Sequence, residues 1–119
     1  MKDSTTRALE AVEMDIGQTL RRFAGNEALL MRFVKMFPED PSYAKLEEAI
    51  ARGDAQDGFH QAHTLKGVVG NLGFGRLFEA VGPLVEALRQ GDLSEAGTLF
   101  EPVRQAHAQT IQAIRSLEE

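Results

Sequence analysis

One histidine in this sequence lies among residues that suit chemistry at an imidazole nitrogen. His63 is followed by Lys66 and Gly67, about one turn further along a predicted helix, and by Gly70 about one turn beyond them. On a helical wheel these three residues and Phe59 lie on the same side as His63. The apolar residues that must face a core lie on the other side: Ala62, Leu65, Val69 and Leu72. We therefore expect the His63 side chain to be exposed to solvent.

An exposed histidine beside a lysine favours phosphoryl transfer. A neutral imidazole is a nitrogen nucleophile near neutral pH, because the unperturbed pKa of histidine is about 6.5. The Lys66 ammonium group is within reach of the oxygens of a transferred phosphoryl group, on which negative charge develops. No carboxylate cluster that would bind Mg²⁺ accompanies the pair, so this metal would have to come from elsewhere.

Two glycines inside the predicted helix need an explanation, because glycine destabilises a helix interior by roughly 1 kcal/mol relative to alanine. Gly67 and Gly70 lack the Cβ atoms that would crowd His63, so another protein could approach the imidazole closely. Alternatively, the same glycines allow a neighbouring helix to pack tightly against this one. The sequence favours access slightly and leaves both explanations open.

The composition of the whole chain excludes several classes of protein. Its 119 residues suit one domain, residues 1–119, and 43% hydrophobic residues suffice for a core. Because there is no cysteine, disulfides, thiolate metal sites and cysteine nucleophiles are excluded. A net charge of −5 argues against a nucleic-acid-binding protein. No apolar run approaches the roughly 20 residues that span a bilayer, so we expect a cytoplasmic protein without a membrane partner.

Hydrophobic spacing predicts helices along the whole chain and no strands. Asp15, Asn26 and Asp54 are predicted N-caps, and Ser94 is the candidate cap of the last helix. Prolines interrupt residues 26–52, where the pattern allows either one kinked helix or two. Because short connections join long amphipathic helices, neighbouring helices should be antiparallel. The predicted fold is an all-α, antiparallel up-down four-helix bundle with an additional N-terminal helix.

The segment around His63 resembles the phosphorylation motif of the histidine-containing phosphotransfer (Hpt) domain family. The matching residues are Ala62-His63-Thr64-Leu65-Lys66-Gly67, followed by Gly70-Asn71-Leu72-Gly73 and Leu77. Upstream, residues 15–27, 33–37 and 49–54 are also similar to the family, so the resemblance covers roughly residues 14–92. A lone His-x-x-Lys-Gly motif is a weak signal, whereas the same motif in this whole arrangement is a strong one.

The resemblance implies a phosphoryl carrier in a multistep two-component phosphorelay, with no ATP site of its own. His63 would accept the group from an aspartyl phosphate on one receiver domain and pass it to an aspartate on another. Lys66 would stabilise the phosphoryl group, and Gly67 would leave room for the partner. The implied partners are a response-regulator receiver domain and a hybrid histidine kinase. The chain itself would hold no cofactor, since the receiver domain would supply Mg²⁺.

Two further expectations concern the surroundings of His63. Docking of a receiver domain should bury residues near the histidine, for which the candidates are Phe59, Val68, Gly70, Phe74 and Ile16. Relatives in the family commonly have a polar residue facing the histidine from the next helix, but Val85 occupies that position here. The hydrogen bond that would orient the imidazole is therefore in question.

Other functions agree less well with the sequence. A helical bundle that binds a receiver or kinase without carrying phosphate is the main alternative, but the presence of His63, Lys66 and Gly67 favours the carrier. A small helical enzyme is less consistent, because no second catalytic group accompanies His63. Asp57 and His60 precede His63 at the spacing of metal ligands, yet the three side chains spread across about 120° of a helix, and no metal site is expected.

Three residues outside this segment carry weaker predictions. His107 has no evident partner and is expected at the surface. Met31 and Met36 lie in an apolar segment and are expected in the core.

Overall fold

The computed structural model describes residues 1–118, which contain seven α-helices, one 3₁₀ turn and no β-strand. The elements are α1 (Asp3–Ala11), α2 (Ile16–Arg22), α3 (Glu27–Met36), the 3₁₀ turn (Phe37–Glu39), α4 (Ser42–Arg52), α5 (Ala55–Leu72), α6 (Gly75–Arg89) and α7 (Leu93–Arg115). The predicted all-α class is thus confirmed. No helix in residues 1–118 is long and apolar enough to cross a membrane.

Side-chain caps fix where most of the helices begin. Asp15, Asn26 and Asp54 each accept a hydrogen bond from a backbone N–H in the first turn of α2, α3 and α5, as predicted. The predicted cap of the last helix is wrong by two residues. Asp92, not Ser94, accepts from the Glu95 backbone N–H at 3.0 Å, so α7 begins at Leu93.

Helices α4 to α7 form the predicted bundle, in which each helix packs on the next and α4 also contacts α7. Only two or three residues connect consecutive helices of this bundle, so neighbours run antiparallel. Residues 26–52 form two helices rather than one, because Pro38 and Pro41 interrupt the backbone hydrogen bonds between α3 and α4. The N-terminal part adds α1 against α7, and α2 and α3 against α5.

The core runs along the whole bundle. Every helix except α2 contributes a large side chain that is almost fully buried. One from each of these helices is Leu9, Leu30, Leu46, Leu65, Leu77 and Val103. Met31 is buried as predicted, but Met36 is 50% exposed and the prediction that it belongs to the core is wrong. It lies in the last turn of α3, where it lines an open groove together with Val68 of α5.

The prediction that His107 lies unpartnered at the surface is also wrong. Its half-buried imidazole stacks on the Tyr43 ring of α4, with ring centroids 3.7 Å apart and planes 3° from parallel. Phe37 lies 5.8 Å from His107, and Phe100 lies 5.7 Å from Tyr43. His107 therefore joins α7 to α4, and burial lowers the pKa of its imidazole, although the charge of Asp40 opposes this shift.

The lowered pKa of His107 predicts a pH-dependent stability. The unfolded chain binds a proton at this histidine more readily than the folded one, so stability should fall as the pH falls below about 6.5. The His107→Phe variant keeps an aromatic ring but cannot titrate. Its melting temperature should therefore fall less than that of the wild type between about pH 7.5 and pH 5.5.

A matched control for this experiment is His60→Gln, which removes an exposed histidine on α5. Its melting temperature at pH 7.5 should match that of the wild type, because the side chain is exposed. Equal pH dependence in the wild type and His107→Phe would contradict the role assigned to burial of His107.

Candidate functional site

His63 lies on the solvent-exposed side of α5, as the helical wheel predicts. The same helix buries Ala62, Leu65 and Val69 completely against the rest of the bundle. The helix begins at the Asp54 cap and ends at Gly73, whose φ of 77° lies in the left-handed region that favours glycine. Because α5 is fixed at both ends and along its apolar side, it holds the His63 backbone rigidly at the surface.

The His63 side chain lies in an open groove between α5, α6 and the end of α2, which we call the His63 groove. The residues that line it are Arg22, His63, Lys66, Gly67, Gly70, Asn71, Phe78, Val85 and Arg89. Its charged side chains, apart from the histidine, are all cationic: Arg22, Lys66 and Arg89. No carboxylate of residues 1–118 lines the groove, although the chain has a net charge of −5. The groove thus suits an anionic group.

Aromatic rings position two of the three cations. The Lys66 ammonium nitrogen lies 5.6 Å from the centroid of the Phe78 ring, and the Arg89 guanidinium carbon lies 4.9 Å from the centroid of the Phe59 ring. Such contacts are worth roughly 0.5–1 kcal/mol at exposed sites. They hold positive charge beside the histidine without neutralising it, although Arg89 also contacts Glu86 at 3.3 Å.

The orientation of the imidazole depends on stacking. No residue in 1–118 donates a hydrogen bond to the His63 side chain or accepts one from it. Phe59, one turn earlier on α5, lies with its ring 5.8 Å from the imidazole and 18° from parallel to it. Val85 lines the groove from α6, where it is 2% exposed and offers no polar atom. Val85 therefore offers the imidazole no hydrogen bond, and the Phe59 ring is its contact on α5.

The two glycines beside His63 have different surroundings. A Cβ atom built on Gly67 would meet no other described residue within 4 Å, outside its own helix turn. One built on Gly70 would lie 3.0 Å from the Phe78 ring, which is closer than ordinary van der Waals contact. Of the two explanations left open by the sequence, access fits Gly67 and close packing fits Gly70.

The comparisons with known proteins agree with this geometry. The family model of the Hpt domain matches residues 28–117, which is most of the chain and includes α5 with His63. The chain belongs to the Hpt domain family. Hpt domains are phosphocarriers that take part in histidine phosphotransfer in phosphorelays, and they interact with receiver domains and kinases. No match was found among curated proteins or among solved structures.

The family match confirms the resemblance drawn from the sequence, with different bounds. The match begins inside α3, so it leaves out residues 14–27, the upstream part of the resemblance. It also extends through α7, which the motifs alone did not reach.

The five residues predicted to dock a partner of this Hpt domain occupy different places. Phe59 and Gly70 flank His63, and Phe59 is half-buried. Half-buried Val68 lines a second groove beside α3, and half-buried Ile16 lies at the start of α2. Phe74 is 0% exposed, so its assignment to a docking surface is wrong. It precedes α6 with its ring 5.2 Å from that of Phe37, inside the core.

Three residues of the His63 groove were not predicted from the sequence. Arg22, Phe78 and Arg89 lie on α2 and α6, and each reaches the groove only because these helices pack beside α5. Phe78 is 40% exposed but lies at the edge of the buried stripe of α6, close to Val85 on a helical wheel, so the apolar spacing of α6 did not separate it from the core.

The residues spaced like metal ligands on α5 do not converge. Asp57 accepts hydrogen bonds from Arg52 at 2.9 Å and from Gln61 at 3.3 Å, and the hydrogen bonds from Gln61 and Arg52 hold the pKa of its carboxyl below its usual range. Among residues 1–118 no group of three His, Asp or Glu side chains is placed to hold a metal ion.

Proposed function

We propose that His63 is the residue of this Hpt domain that carries the phosphoryl group between the aspartates of receiver domains. The observation that carries the proposal is an exposed histidine in a groove whose other charged side chains are all cationic. His60 is also exposed on α5, but it does not line the groove, and His107 is stacked between helices. Of the three histidines, His63 alone combines exposure with cations that would stabilise a phosphoryl group.

The transfer is a substitution at phosphorus. The lone pair of an imidazole nitrogen attacks the phosphoryl group of the receiver's aspartyl phosphate, so that a P–N bond forms as the P–O bond breaks. The aspartate leaves as a carboxylate with the bonding electron pair, and the ring loses its remaining N–H proton to solvent. Return of the group to a second receiver reverses these steps. Lys66 lies one turn from His63 and would stabilise the negative charge on the transferred oxygens.

Any Mg²⁺ required for this step would come from the receiver domain. Arginine and lysine are not ligands for a hard divalent cation, which is bound by carboxylates, carbonyls and water. Lys66 would instead interact directly with the phosphoryl oxygens. We also propose that the chain carries the group without an ATP site of its own and acts in the cytoplasm.

Docking of the receiver would cover the half-buried Phe59 ring and the exposed Phe78 ring beside His63. Phe59 flanks the histidine on α5, and Phe78 flanks it from α6. Because Gly67 has no side chain, nothing at this position obstructs the approach of a partner from the solvent. Apolar contacts around a central reactive residue exclude water, which strengthens the interaction of Lys66 with the phosphoryl group.

The alternative function is an adaptor bundle that binds a receiver or kinase domain without accepting phosphate. The experiment that separates the two is incubation of the protein with a panel of phosphorylated receiver domains, followed by intact-mass measurement. A carrier gains the mass of one phosphoryl group, and acid removes it, because phosphohistidine is acid-labile. An adaptor binds a receiver but gains no mass.

We expect Lys66→Ala to slow phosphoryl transfer without preventing the receiver from binding. An exposed charge contributes little to ground-state binding, typically about 1 kcal/mol or less. Its contribution grows in the transition state, where charge develops and water is excluded, so the rate at saturating receiver should fall by about 10- to 100-fold.

The control is Lys45→Ala, which removes an exposed lysine of α4 that does not line the His63 groove. It should transfer phosphate at the rate of the wild type. An unchanged rate for Lys66→Ala at saturating receiver would remove Lys66 from the mechanism.

A further inference from the structure

Arg22 reaches the His63 groove from α2, whose last residue it is. Its Nε donates a hydrogen bond to the Asn71 backbone carbonyl at 3.2 Å, and its Nη2 donates to Thr19 Oγ1 at 3.3 Å. The acceptor at Asn71 lies in the last turn of α5, where backbone carbonyls lack helical partners and carry the negative end of the helix dipole. The guanidinium is therefore held at the edge of the groove.

The contacts of Arg22 leave part of its guanidinium free. The group has five N–H donors in a planar fork, and the two hydrogen bonds above use only some of them. Thr19 is itself fixed, because it is 1% exposed and its hydroxyl donates to the Asp15 carbonyl at 2.9 Å. The remaining donors are thus presented in one orientation, which is the arrangement that suits a carboxylate or phosphate.

The charges around the groove leave Arg22 without a carboxylate partner. Arg89 pairs with Glu86, whereas Arg22 and Lys66 form no ion pair with any carboxylate of residues 1–118. The position of Arg22 shows which anion it can reach. Asn71 follows His63 by eight residues, which is about 12 Å along the axis of α5. Arg22 is thus anchored about two turns from His63, whereas Lys66 lies one turn away, so Lys66 rather than Arg22 is placed for a phosphoryl group on the imidazole.

We propose that Arg22 is a docking residue that binds a carboxylate of the receiver domain, beside the residues that surround its phosphorylated aspartate. The inference rests on the proposed function of His63, since it takes the receiver as the partner. Arg22 contributes to the affinity and specificity of docking, whereas Lys66 acts on the transferred group. A charge at the edge of an interface acts mainly on association and on its salt dependence.

The test compares Arg22→Ala with Arg21→Ala. Arg21 is also exposed in the last turn of α2 but does not line the groove, so its variant loses the same charge. For Arg22→Ala, the receiver concentration at half-maximal transfer rate should rise about fivefold to tenfold, with the maximal rate within about twofold of the wild type. Its affinity should also depend less on salt. Arg21→Ala should match the wild type within about twofold.

Two further variants separate docking from a structural role of Arg22 in attaching α2 to α5. Arg22→Lys keeps the charge but not the planar fork, and should recover part of the lost affinity. Arg22→Gln keeps an amide donor without the charge, and should bind as weakly as Arg22→Ala. If Arg22→Gln recovered the receiver affinity and Arg22→Lys did not, the inference would be overturned. Arg22 would then serve to attach α2 to α5. Equal behaviour of the Arg22→Ala and Arg21→Ala variants would overturn it as well.

Binding of the unphosphorylated receiver, measured by titration calorimetry, keeps this test independent of the proposed carrier function. If the wild type gains no phosphate but binding still depends on Arg22, the docking inference stands and the carrier function fails. If His63 gains phosphate and Arg22→Ala changes only the maximal rate, the carrier function stands and the docking inference fails.

Discussion

Replacing His63 with glutamine should abolish the uptake of phosphate from a phosphorylated receiver domain while leaving the bundle folded. The imidazole nitrogen is the proposed nucleophile, and an amide nitrogen is not nucleophilic at neutral pH. The side chain is exposed and makes no hydrogen bond within residues 1–118, so the loss of stability should stay within about 0.5 kcal/mol. Intact-mass measurement after incubation with the phosphorylated receiver tests the loss of phosphate uptake. A thermal melt tests whether the bundle stays folded.

The matched control for His63→Gln is His60→Gln, one turn earlier on the same exposed part of α5. It should accept phosphate as the wild type does. Full uptake by His63→Gln, or transfer of the label to His60 or His107, would show that the carrier residue has been assigned wrongly.

Replacing Gly67 with leucine should reduce receiver-dependent phosphorylation by on the order of 100-fold, because a misplacement of about 1 Å in the reacting groups can cost that much. A branched side chain one turn from His63 would stand where the aspartyl phosphate must approach in line with the imidazole nitrogen. We expect the Gly67→Leu variant to be at least as stable as the wild type. No described residue outside the helix turn lies within 4 Å of the added Cβ, and leucine favours a helix over glycine by roughly 0.7 kcal/mol.

The control for Gly67→Leu is Gly97→Leu, which makes the same change at an open position of α7 outside the His63 groove. Both variants should melt at or above the temperature of the wild type, but only Gly67→Leu should lose transfer. A destabilised Gly67→Leu that still accepts phosphate at the normal rate would falsify the access argument, because it would mean that Gly67 serves packing.

Local interactions made most of the fold predictable. The caps at Asp15, Asn26 and Asp54 bond backbone groups only three residues away, so their effect can be read from the sequence without knowing what packs against the helix. The exposure of His63 was predictable for the same reason. The apolar stripe of α5 fixes which side of the helix is buried, whatever helices cover it.

Contacts between distant segments were not predictable in this way. Phe74 follows a glycine at the corner between α5 and α6, where no helical period indicates burial, and its position in the core depends on Phe37. His107 was assigned to the surface because its partner Tyr43 lies on α4, far away in the sequence. Met36 lies in an apolar segment, but in the structure it faces an open groove between α3 and α5 rather than the core.

The sequence by itself determined the helices and the exposed histidine with its neighbouring lysine and glycine, because these depend on residues within one or two helical turns. The bundle was predictable because short connections between amphipathic helices favour antiparallel neighbours. Only the tertiary structure decided what surrounds them. It showed that the space beside Gly67 is open, whereas Gly70 packs against Phe78. It also placed Arg22 and Arg89 in the His63 groove. The physical reason is that α2 and α6 meet α5 by packing of their own apolar sides, and the positions of their exposed cations follow from that packing.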